Sequence, residues 1–519
     1  MFRYIYLAVL LLCPYCGQSE VAFAPIFNDD MVLQCDMPVN IWGTAEPGAT
    51  VTVSFADQTK TTVTDFSKHW KIVLDPMSAS SEPRKLAVAS SIANQKSSID
   101  NVVVGEVWLA SGQSNMEMAL GSAFGGKERL AQRLPDIRFS VVPKTTGLPV
   151  EQSFSADDLN WRVFSPGQNG NVSAVAFYFA EKVQKDTGRP VGVIQSAVGG
   201  SSCQAWMPLD ALEKRSKVKY MADELKTGLA LSRTGEEWKT QISDYSKYWR
   251  ALIEWKKTRQ GDQPVDPGAV GIDNPFFQQT ASVLYENMIK PLIPYTVRGV
   301  IWYQGETGSS KPDEYHVLFP ALIHEWRNAW GRPDWPFYFV QLAAFDEKRG
   351  DFAGQRAVQA FVRNTVSHAG MALAIDCGEE NNIHPKNKQP VGERLARLAL
   401  ADVYGQDVVS RGPVFQTLEN ADGKLRVIFQ CSENGLQTSD GKAEVPGFEV
   451  AGADGEYHPA AAKIISKDNV ELDCDEVSRP VSVRYAWHNW IEPPVTLQNS
   501  SGLPAEPFCS AQKQDLKYE

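Results

Sequence analysis

Hydrophobic and polar positions alternate near both ends of the chain, the pattern of strands with one buried face. Residues 51–55 (VTVSF) alternate in this way near the N-terminus, and residues 425–429 (LRVIF) do so near the C-terminus. Turn signals such as Glu46-Pro47-Gly48 interrupt the first region, and no helical period is sustained there. The pattern predicts an N-terminal β-sandwich module over residues 18–100 and a C-terminal β module over residues 409–519.

The centre of the chain has a different pattern, in which short apolar runs alternate with longer segments of helical period. This alternation is typical of an α/β domain with a parallel sheet between two helical layers, and we place that domain at residues 101–408. Residues 209–258, rich in Lys, Glu, Trp and Tyr, are expected to form a helical insertion. The predicted strands are Val102–Leu109, Val191–Ile194, Val297–Tyr303, Phe337–Leu342 and Met371–Ile375. The predicted helices are Ala174–Lys185, Tyr315–Trp330 and Gln389–Val403.

The first residues resemble a targeting segment. Arg3 precedes an apolar run, Ile5 to Leu12, that is too short for a membrane-spanning helix and is typical of a secretory signal. We therefore expect residues 1–17 to be a signal peptide and the protein to be secreted or periplasmic. A lipid-anchored form through Cys13 or Cys16 is a further possibility, and a frayed hydrophobic N-terminus is the simpler alternative.

Composition and charge narrow the class of protein. Hydrophobic residues make up 43% and charged residues 22% of the 519, as in packed globular proteins. The 51 Lys and Arg residues against 62 Asp and Glu give a net charge of −11, which argues against nucleic acid as a partner. The six cysteines beyond the leader lack metal-binding spacing, and their pairing is left open between free thiols and a disulfide: Cys35, Cys203, Cys377, Cys431, Cys474 and Cys509.

Polar, glycine-containing segments follow four of the predicted strands. Ligands of an open parallel sheet bind beyond the carboxyl ends of the strands, so these segments are the candidates for a functional site. Each segment alone is weak evidence, but all of them fall at the same edge of the predicted sheet. They are residues 111–116 (SGQSNM), 195–201 (QSAVGGS), 304–308 (QGETG) and 376–385 (DCGEENNIHP).

Ser114 follows the first of these strands and precedes a predicted helix. A serine there is either a helix N-cap or an acyl-transfer nucleophile that uses the free N–H groups of the helix start. A nucleophilic serine needs a base, and among seven histidines only His384 lies in a loop beyond the carboxyl end of a predicted strand. An ester's tetrahedral intermediate also needs oxyanion donors, for which the backbone N–H of Gly200 and the side-chain amide of Gln304 are candidates.

Together these segments resemble a known family. SGQSNM, VGGSS, IWYQGE and NIHPKNK, in this order, are similar to the motifs of SGNH hydrolases, and specifically of the sialate O-acetylesterase-like carbohydrate esterases. The flanking segments APIFNDDMVLQ and VRYAWHNW are also similar to those proteins. The resemblance implies a flavodoxin-like three-layer fold and a serine esterase with Ser114 as nucleophile and His384 as base. It also implies an oxyanion hole made of Gly200, the Ser114 N–H and Gln304, with no metal or organic cofactor.

The sequence departs from the family pattern at one position. Many SGNH enzymes place an acid three residues before the catalytic histidine, but Asn381 stands there in this chain. Replacing a triad aspartate by asparagine typically costs about 10⁴ in rate. Either another carboxylate orients His384, with Asp376 the first candidate and Glu379 or Glu380 next, or a backbone carbonyl does so and the site is a Ser-His dyad.

O-acetylated sialic acid is the substrate that the resemblance implies, and acetylated xylan or xyloglucan is the alternative within the enzyme class. An inactive carbohydrate-binding surface protein is the alternative from another class, supported by the missing acid at position 381. Four aromatic residues near the candidate loops are considered as sugar-stacking platforms, with a place in the core as the more common role of aromatic residues beside strands: Trp108, Trp206, Trp302 and Tyr303. Arg356 and Arg394 are considered as partners for a substrate carboxylate, with a structural salt bridge as the alternative.

Overall fold

The structure is a computed structural model that describes residues 20–148, 158–231, 234–268, 270–271, 273–348, 350–421 and 424–511. The predicted signal peptide therefore lies outside the described residues. Among those residues, no helix combines the length and the apolar character needed to cross a bilayer. The six cysteines are all free thiols, three of them buried.

The N-terminal module consists of two sheets. One has the strand order β1-β3-β6, and the other places β5 beside β4, β4 beside β7 and β7 beside β8, all antiparallel. The strands are β1 (Ala22–Phe23), β2 (Val32–Gln34), β3 (Val39–Thr44), β4 (Thr50–Phe55), β5 (Gln58–Val63), β6 (His69–Leu74), β7 (Ser80–Ser90) and β8 (Lys96–Gly112). Buried valines and Phe55 on β4 alternate with more exposed threonines and Ser54, as the sequence pattern predicts.

Strand β8 continues from this module into the central sheet. Its first half pairs with β7, and its second half pairs with β11 on one side and β12 on the other. The module boundary expected after residue 100 therefore falls inside a single 17-residue strand. The remaining central strands are β9 (Leu134–Val141), β10 (Trp161–Phe164), β11 (Val191–Ala197), β12 (Gly299–Tyr303), β13 (Phe337–Gln341) and β14 (Ala369–Leu373).

The central sheet has the strand order β10-β9-β11-β8-β12-β13-β14. All of its neighbours pair in parallel except β10, which is an antiparallel edge strand. After β8 the chain builds one side of the sheet with β9 to β11 and then crosses to the other side with β12 to β14. The carboxyl end of β8 is thus a topological switch point, where α/β sheets bind their ligands.

Helices cover both faces of the sheet and create two cores. Along β12, Val300 and Trp302 enter one core, whereas Ile301 and Tyr303 enter the other, because a parallel strand is buried on both faces. Helices α3 and α9 pack together over one face, and α7 and α8 pack together over the other. The helices are α1 (Ser114–Glu117), α2 (Gly126–Leu130), α3 (Ala174–Thr187), α4 (Leu209–Glu213), α5 (Lys219–Ala230), α6 (Gly235–Thr258), α7 (Pro312–Trp330), α8 (Phe352–Thr365) and α9 (Gln389–Asp402).

The C-terminal module consists of three small sheets around a third core, which also contains Ala344 and Ile375 from the α/β domain. The strands are β15 (Val414–Ala421), β16 (Lys424–Gln430), β17 (Leu436–Thr438), β18 (Phe448–Ala451), β19 (Tyr457–Pro459), β20 (Ala461–Ile464), β21 (Asn469–Asp473), β22 (Ser482–Tyr485), β23 (Leu497–Asn499) and β24 (Phe508–Cys509). This module packs against the segments that follow β13 and β14, and so it supports one side of the candidate site.

Candidate active site

Ser114 begins α1 directly beyond β8, at the switch point of the sheet. The turn between them depends on Gly112, which has φ +135°; a Cβ atom there would lie 2.2 Å from the carbonyl oxygen of Tyr303. The N–H of Gln113 donates to that same carbonyl at 2.9 Å. The serine segment (residues 113–117) is therefore anchored to the end of β12, and the Ser114 hydroxyl lines a cavity beyond the sheet edge.

His384 reaches this serine from the histidine loop (residues 376–388), which follows β14. Its Nε2 atom lies 2.8 Å from the Ser114 Oγ atom, a hydrogen-bond distance of the kind that a general base requires. The chain separates these two residues by 270 positions, yet the sheet edge brings them together. The meeting of hydroxyl and imidazole that the sequence predicts is present in the structure.

Glu379 and Asn382 fix the shape of the histidine loop. One carboxylate oxygen of Glu379 accepts the backbone N–H of Lys386 at 2.7 Å, and the other accepts the Asn382 side-chain amide at 2.9 Å. Asn382 in turn accepts the His384 N–H at 3.1 Å and donates to the His384 carbonyl oxygen at 2.9 Å. These hydrogen bonds lower the pKa of Glu379, although partial burial opposes them, so the carboxylate form holds the loop.

Asp376, the first candidate for orienting His384, does not contact it. Both Asp376 carboxylate oxygens accept from the Arg394 guanidinium, each at 2.6 Å. Glu379 is engaged by the loop, and Glu380 accepts the Asn381 side chain at 3.4 Å. Within the described residues, His384 Nδ1 has no hydrogen-bond partner, so the geometry there is that of a Ser-His pair.

The environment of His384 lowers its pKa below the ordinary value of about 6.5. Partial burial of the ring is the largest cause, and the positive charge of Lys388 acts in the same direction. The carboxylate of Glu117 opposes both by favouring the protonated ring. The lowered pKa favours the neutral imidazole, which can accept a proton.

The Gly199-Gly200 turn lies against the serine segment. A Cβ atom at Gly199 would lie 3.4 Å from the Ser114 Cβ and 3.2 Å from a Glu117 carboxylate oxygen, so the two segments approach closely here. The Gly199 N–H already donates to Glu117 at 2.5 Å, and Glu117 also forms an ion pair with Lys144. In contrast, the backbone N–H groups of Ser114 and Gly200 donate no hydrogen bond within the described part of the chain.

Gln304 lies at the end of β12 but inside the protein rather than on the cavity wall. Its side chain is fully buried, and its amide donates to the Ser201 carbonyl oxygen at 3.3 Å. The Oε1 atom of Gln304 is buried without a hydrogen-bond partner in the described residues. Its role as an oxyanion donor stays a prediction.

The cavity beside Ser114 and His384 has a volume of about 980 Å³. Its wall contains the basic side chains of Lys144 and Arg162 and the carboxylates of Glu117 and Asp158. Side-chain amides, which both donate and accept hydrogen bonds, also line it: Asn160, Gln168, Asn169, Asn171, Gln195 and Gln278. These polar groups can bind the hydroxyl groups of a ligand, and apolar side chains such as Met118 and Val142 line the cavity beside them.

The aromatic and basic residues considered for substrate binding lie elsewhere. The four aromatic residues are fully buried in the two cores, because helices cover both faces of the sheet. They are Trp108, Trp206, Trp302 and Tyr303. Arg356 is buried and donates to the carbonyl oxygen of His488 in the C-terminal module, and Arg394 pairs with Asp376. These residues are therefore structural, and the described cations on the cavity wall are Lys144 and Arg162.

Sequence reasoning missed a buried cluster beneath the site. Asn115, Glu306 and Lys388 occur in the recognised motifs, but no role is predicted for them there. In the structure, Asn115 contacts both other residues, at 2.5 Å to each. One signal in the sequence could have identified this cluster. Glu306 and Lys388 are charged residues in segments that are expected to be buried at the end of the central sheet.

The chain is similar to known carbohydrate esterases. Residues 252–401 match the family model described as "Carbohydrate esterase, sialic acid-specific acetylesterase". The chain is 30% identical to sialate O-acetylesterase of Rattus norvegicus over 94% of both chains. It is 29% identical to that of Homo sapiens, covering 94% of this chain and 92% of the human protein.

A solved structure extends the likeness to the fold. The crystal structure of a carbohydrate acetylesterase from Xanthomonas citri superimposes with a TM-score of 0.78 and 31% identity. The match covers 95% of this chain and all of that one, so it includes both β modules as well as the α/β domain. On this similarity along nearly its whole length, the chain belongs to the sialate O-acetylesterase family of carbohydrate esterases and is a carboxylic ester hydrolase.

Proposed function

We propose that this protein removes O-acetyl groups from carbohydrates, with O-acetylated sialic acids as the preferred substrates, through an acetyl-serine intermediate on Ser114. The 2.8 Å approach of His384 Nε2 to Ser114 Oγ carries the proposal. The similarity to the sialate O-acetylesterases of Rattus norvegicus and Homo sapiens supports the substrate class. The α/β domain is in this view an SGNH-type hydrolase domain between two β-sandwich modules.

The first half of the reaction transfers the acetyl group to the enzyme. His384 Nε2 accepts the proton of Ser114 Oγ while that oxygen attacks the acetyl carbonyl carbon, which gives a tetrahedral oxyanion. When this intermediate collapses, the bond to the sugar oxygen breaks and the imidazolium donates its proton to that oxygen. The deacetylated sugar leaves, and Ser114 carries the acetyl ester.

The second half restores the enzyme. A water molecule gives its proton to His384 and attacks the acetyl carbonyl carbon, and collapse returns the proton to Ser114 Oγ as acetate departs. The chemistry uses no metal ion and no organic cofactor. The lowered pKa of His384 supports its role as a base, because it increases the fraction of neutral imidazole.

Oxyanion stabilisation is assigned to backbone donors beside the nucleophile. The N–H groups of Ser114 and Gly200 have no internal acceptor in the described residues, so they are available for a developing negative charge. Gln304 is retained as the side-chain donor that the family resemblance implies. For that role its amide has to exchange the 3.3 Å bond to Ser201 for one to the substrate.

The experiment is acetate release from O-acetylated sialosides, from acetylated xylo-oligosaccharides and from 4-nitrophenyl acetate, with the native protein and the Ser114→Ala variant. We expect native activity on all sialosides tested and its loss in the variant. Ser122→Ala is the matched control, because Ser122 is an exposed serine on the wall of the same cavity. Activity on xylo-oligosaccharides but not on sialosides would show that the substrate is acetylated xylan rather than O-acetylated sialic acid. Equal rates in the native protein and Ser114→Ala would refute the mechanism.

A further inference from the structure

A lysine is buried directly beneath the candidate active site. Lys388 is 1% exposed, and its Nζ atom donates to the Asn115 side-chain oxygen at 2.5 Å. Its ammonium group also lies 5.3 Å from the centre of the Tyr303 ring, a cation–π distance. A buried ammonium is costly, so this position calls for a function that an apolar side chain would not serve.

Asn115 connects this lysine to a buried carboxylate and to the histidine loop. Its side-chain amide donates to Glu306 at 2.5 Å and to the Ile383 carbonyl oxygen at 2.9 Å. Asn115 directly follows Ser114 in sequence, and Ile383 directly precedes His384. The cluster therefore links the segments that carry the hydroxyl and the imidazole, in contact with the segment that follows β12.

We infer that Lys388 is a positioning residue, which holds the histidine loop against the serine segment through Asn115 and keeps His384 in its proton-accepting form. This inference rests on the proposed function, in which His384 is the base. It adds a role for a residue that touches neither substrate nor the reacting atoms.

Charges on several elements act on His384. Lys388 disfavours the imidazolium, whereas Glu117 from α1 favours it. The Glu117 charge is shared with the Gly199 N–H and Lys144, which weakens its effect. On the histidine loop itself, Glu379 is bound to backbone and amide groups, and the Lys386 side chain is exposed. Among these charged groups, Lys388 is therefore the buried cation that acts on His384.

Lys388 is charged in the pH range where His384 titrates. Burial lowers the pKa of Lys388 to about 8, while the Glu306 carboxylate opposes the shift. Below that value the ammonium persists, and it lowers the pKa of His384. Removal of the charge should therefore raise the pKa of His384 and move the acid limb of the rate profile to higher pH.

The test compares Lys388→Met with the native protein over pH 4.5 to 8, with kcat/KM for 4-nitrophenyl acetate as the readout. We expect the acid limb of Lys388→Met to move to higher pH, so that the rate at pH 5.5, as a fraction of the plateau, falls at least about twofold. Lys386→Met is the matched control, since it removes an exposed charge from the same loop. The acid limb of this control should stay in place.

An active, folded Lys388→Met protein with an unmoved acid limb would overturn the inference, even if its plateau rate were lower. If Lys388→Met does not fold, the double variant Lys388→Met/Glu306→Gln leaves no unpaired buried charge and is read in the same way. A native protein without esterase activity would instead refute the proposed function, and this inference with it. The two failures are therefore distinguishable.

Discussion

The guanidinium of Arg394 holds both carboxylate oxygens of Asp376, each at 2.6 Å, in a bidentate ion pair. Arg394 lies on α9, and its side chain is 9% exposed. The pair joins the start of the histidine loop to α9. The acid nearest in sequence to the end of β14 is thus part of the scaffold.

We predict that Asp376→Asn keeps kcat/KM within about threefold of the native value, because the carboxylate has no contact with the imidazole. The variant should unfold at lower temperature, since it leaves the buried Arg394 without its anionic partner. Steady-state kinetics and thermal unfolding measure the two effects. A loss of about 10⁴ in kcat, as seen when a triad aspartate is replaced, would show that Asp376 orients His384 during turnover.

Glu379 should matter more for activity than Asp376 does. Glu379→Ala removes the acceptor for the Lys386 N–H and the Asn382 amide, so the histidine loop loses the contacts that set the position of His384. We expect kcat to fall roughly 10- to 100-fold, the cost of misplacing a catalytic group. Glu380→Ala is the matched control, because the neighbouring carboxylate is exposed and, among the residues that the structure describes, forms a single hydrogen bond, at 3.4 Å with Asn381. Equal rates in the two variants would contradict a loop-holding role.

The pH dependence of the native enzyme follows from the lowered pKa of His384. The base acts only when unprotonated, so activity is lost as the pH falls through its pKa. Burial and Lys388 lower that pKa, and we therefore expect the midpoint of the acid limb of kcat/KM below pH 6.5. A pH–rate profile with a neutral ester substrate measures it. A midpoint above pH 6.5 would mean that Glu117 outweighs burial and Lys388.

Gln304→Ala tests the third oxyanion donor. If the amide binds the oxyanion, kcat should fall by roughly 10²–10³. The control is Gln341→Ala at the end of β13, another fully buried glutamine, whose amide donates to the Arg356 carbonyl oxygen at 3.1 Å. Both variants should lose stability, but only Gln304→Ala should lose rate. If kcat falls no further in Gln304→Ala than in Gln341→Ala, Gln304 only supports the turn at Ser201.

The sequence was sufficient to predict the strands that end at the site, because each is a short apolar run followed by glycine and polar residues. Helix α8 was missed since its buried face includes Gln355, Arg356 and Gln359, which break the apolar period. Strand β9 was missed because a buried charge, Arg138, stands in it and donates to backbone carbonyl groups. A hydrophobic pattern does not detect polar residues that are buried by specific hydrogen bonds.

Some features of the site could likewise be predicted from the sequence, and others could not. Ser114 and His384 could be found because strand ends define a common edge of the sheet. The partner of Asp376 could not, since it depends on the direction of a side chain 18 residues away. The sequence also left the tryptophans open between sugar stacking and the core, because position beside a loop does not reveal which face of a strand is covered.

The continuous strand β8 limits how the N-terminal module and the α/β domain can be separated by recombination. Gln34 of the N-terminal module accepts the Val107 N–H at 2.9 Å and donates to Glu106 at 3.0 Å, both on the half of β8 that belongs to the α/β domain. A recombination event that joined a foreign partner at residue 101 would cut this strand and strip those bonds from it. Gene shuffling should therefore transmit the two regions together, as one evolutionary unit.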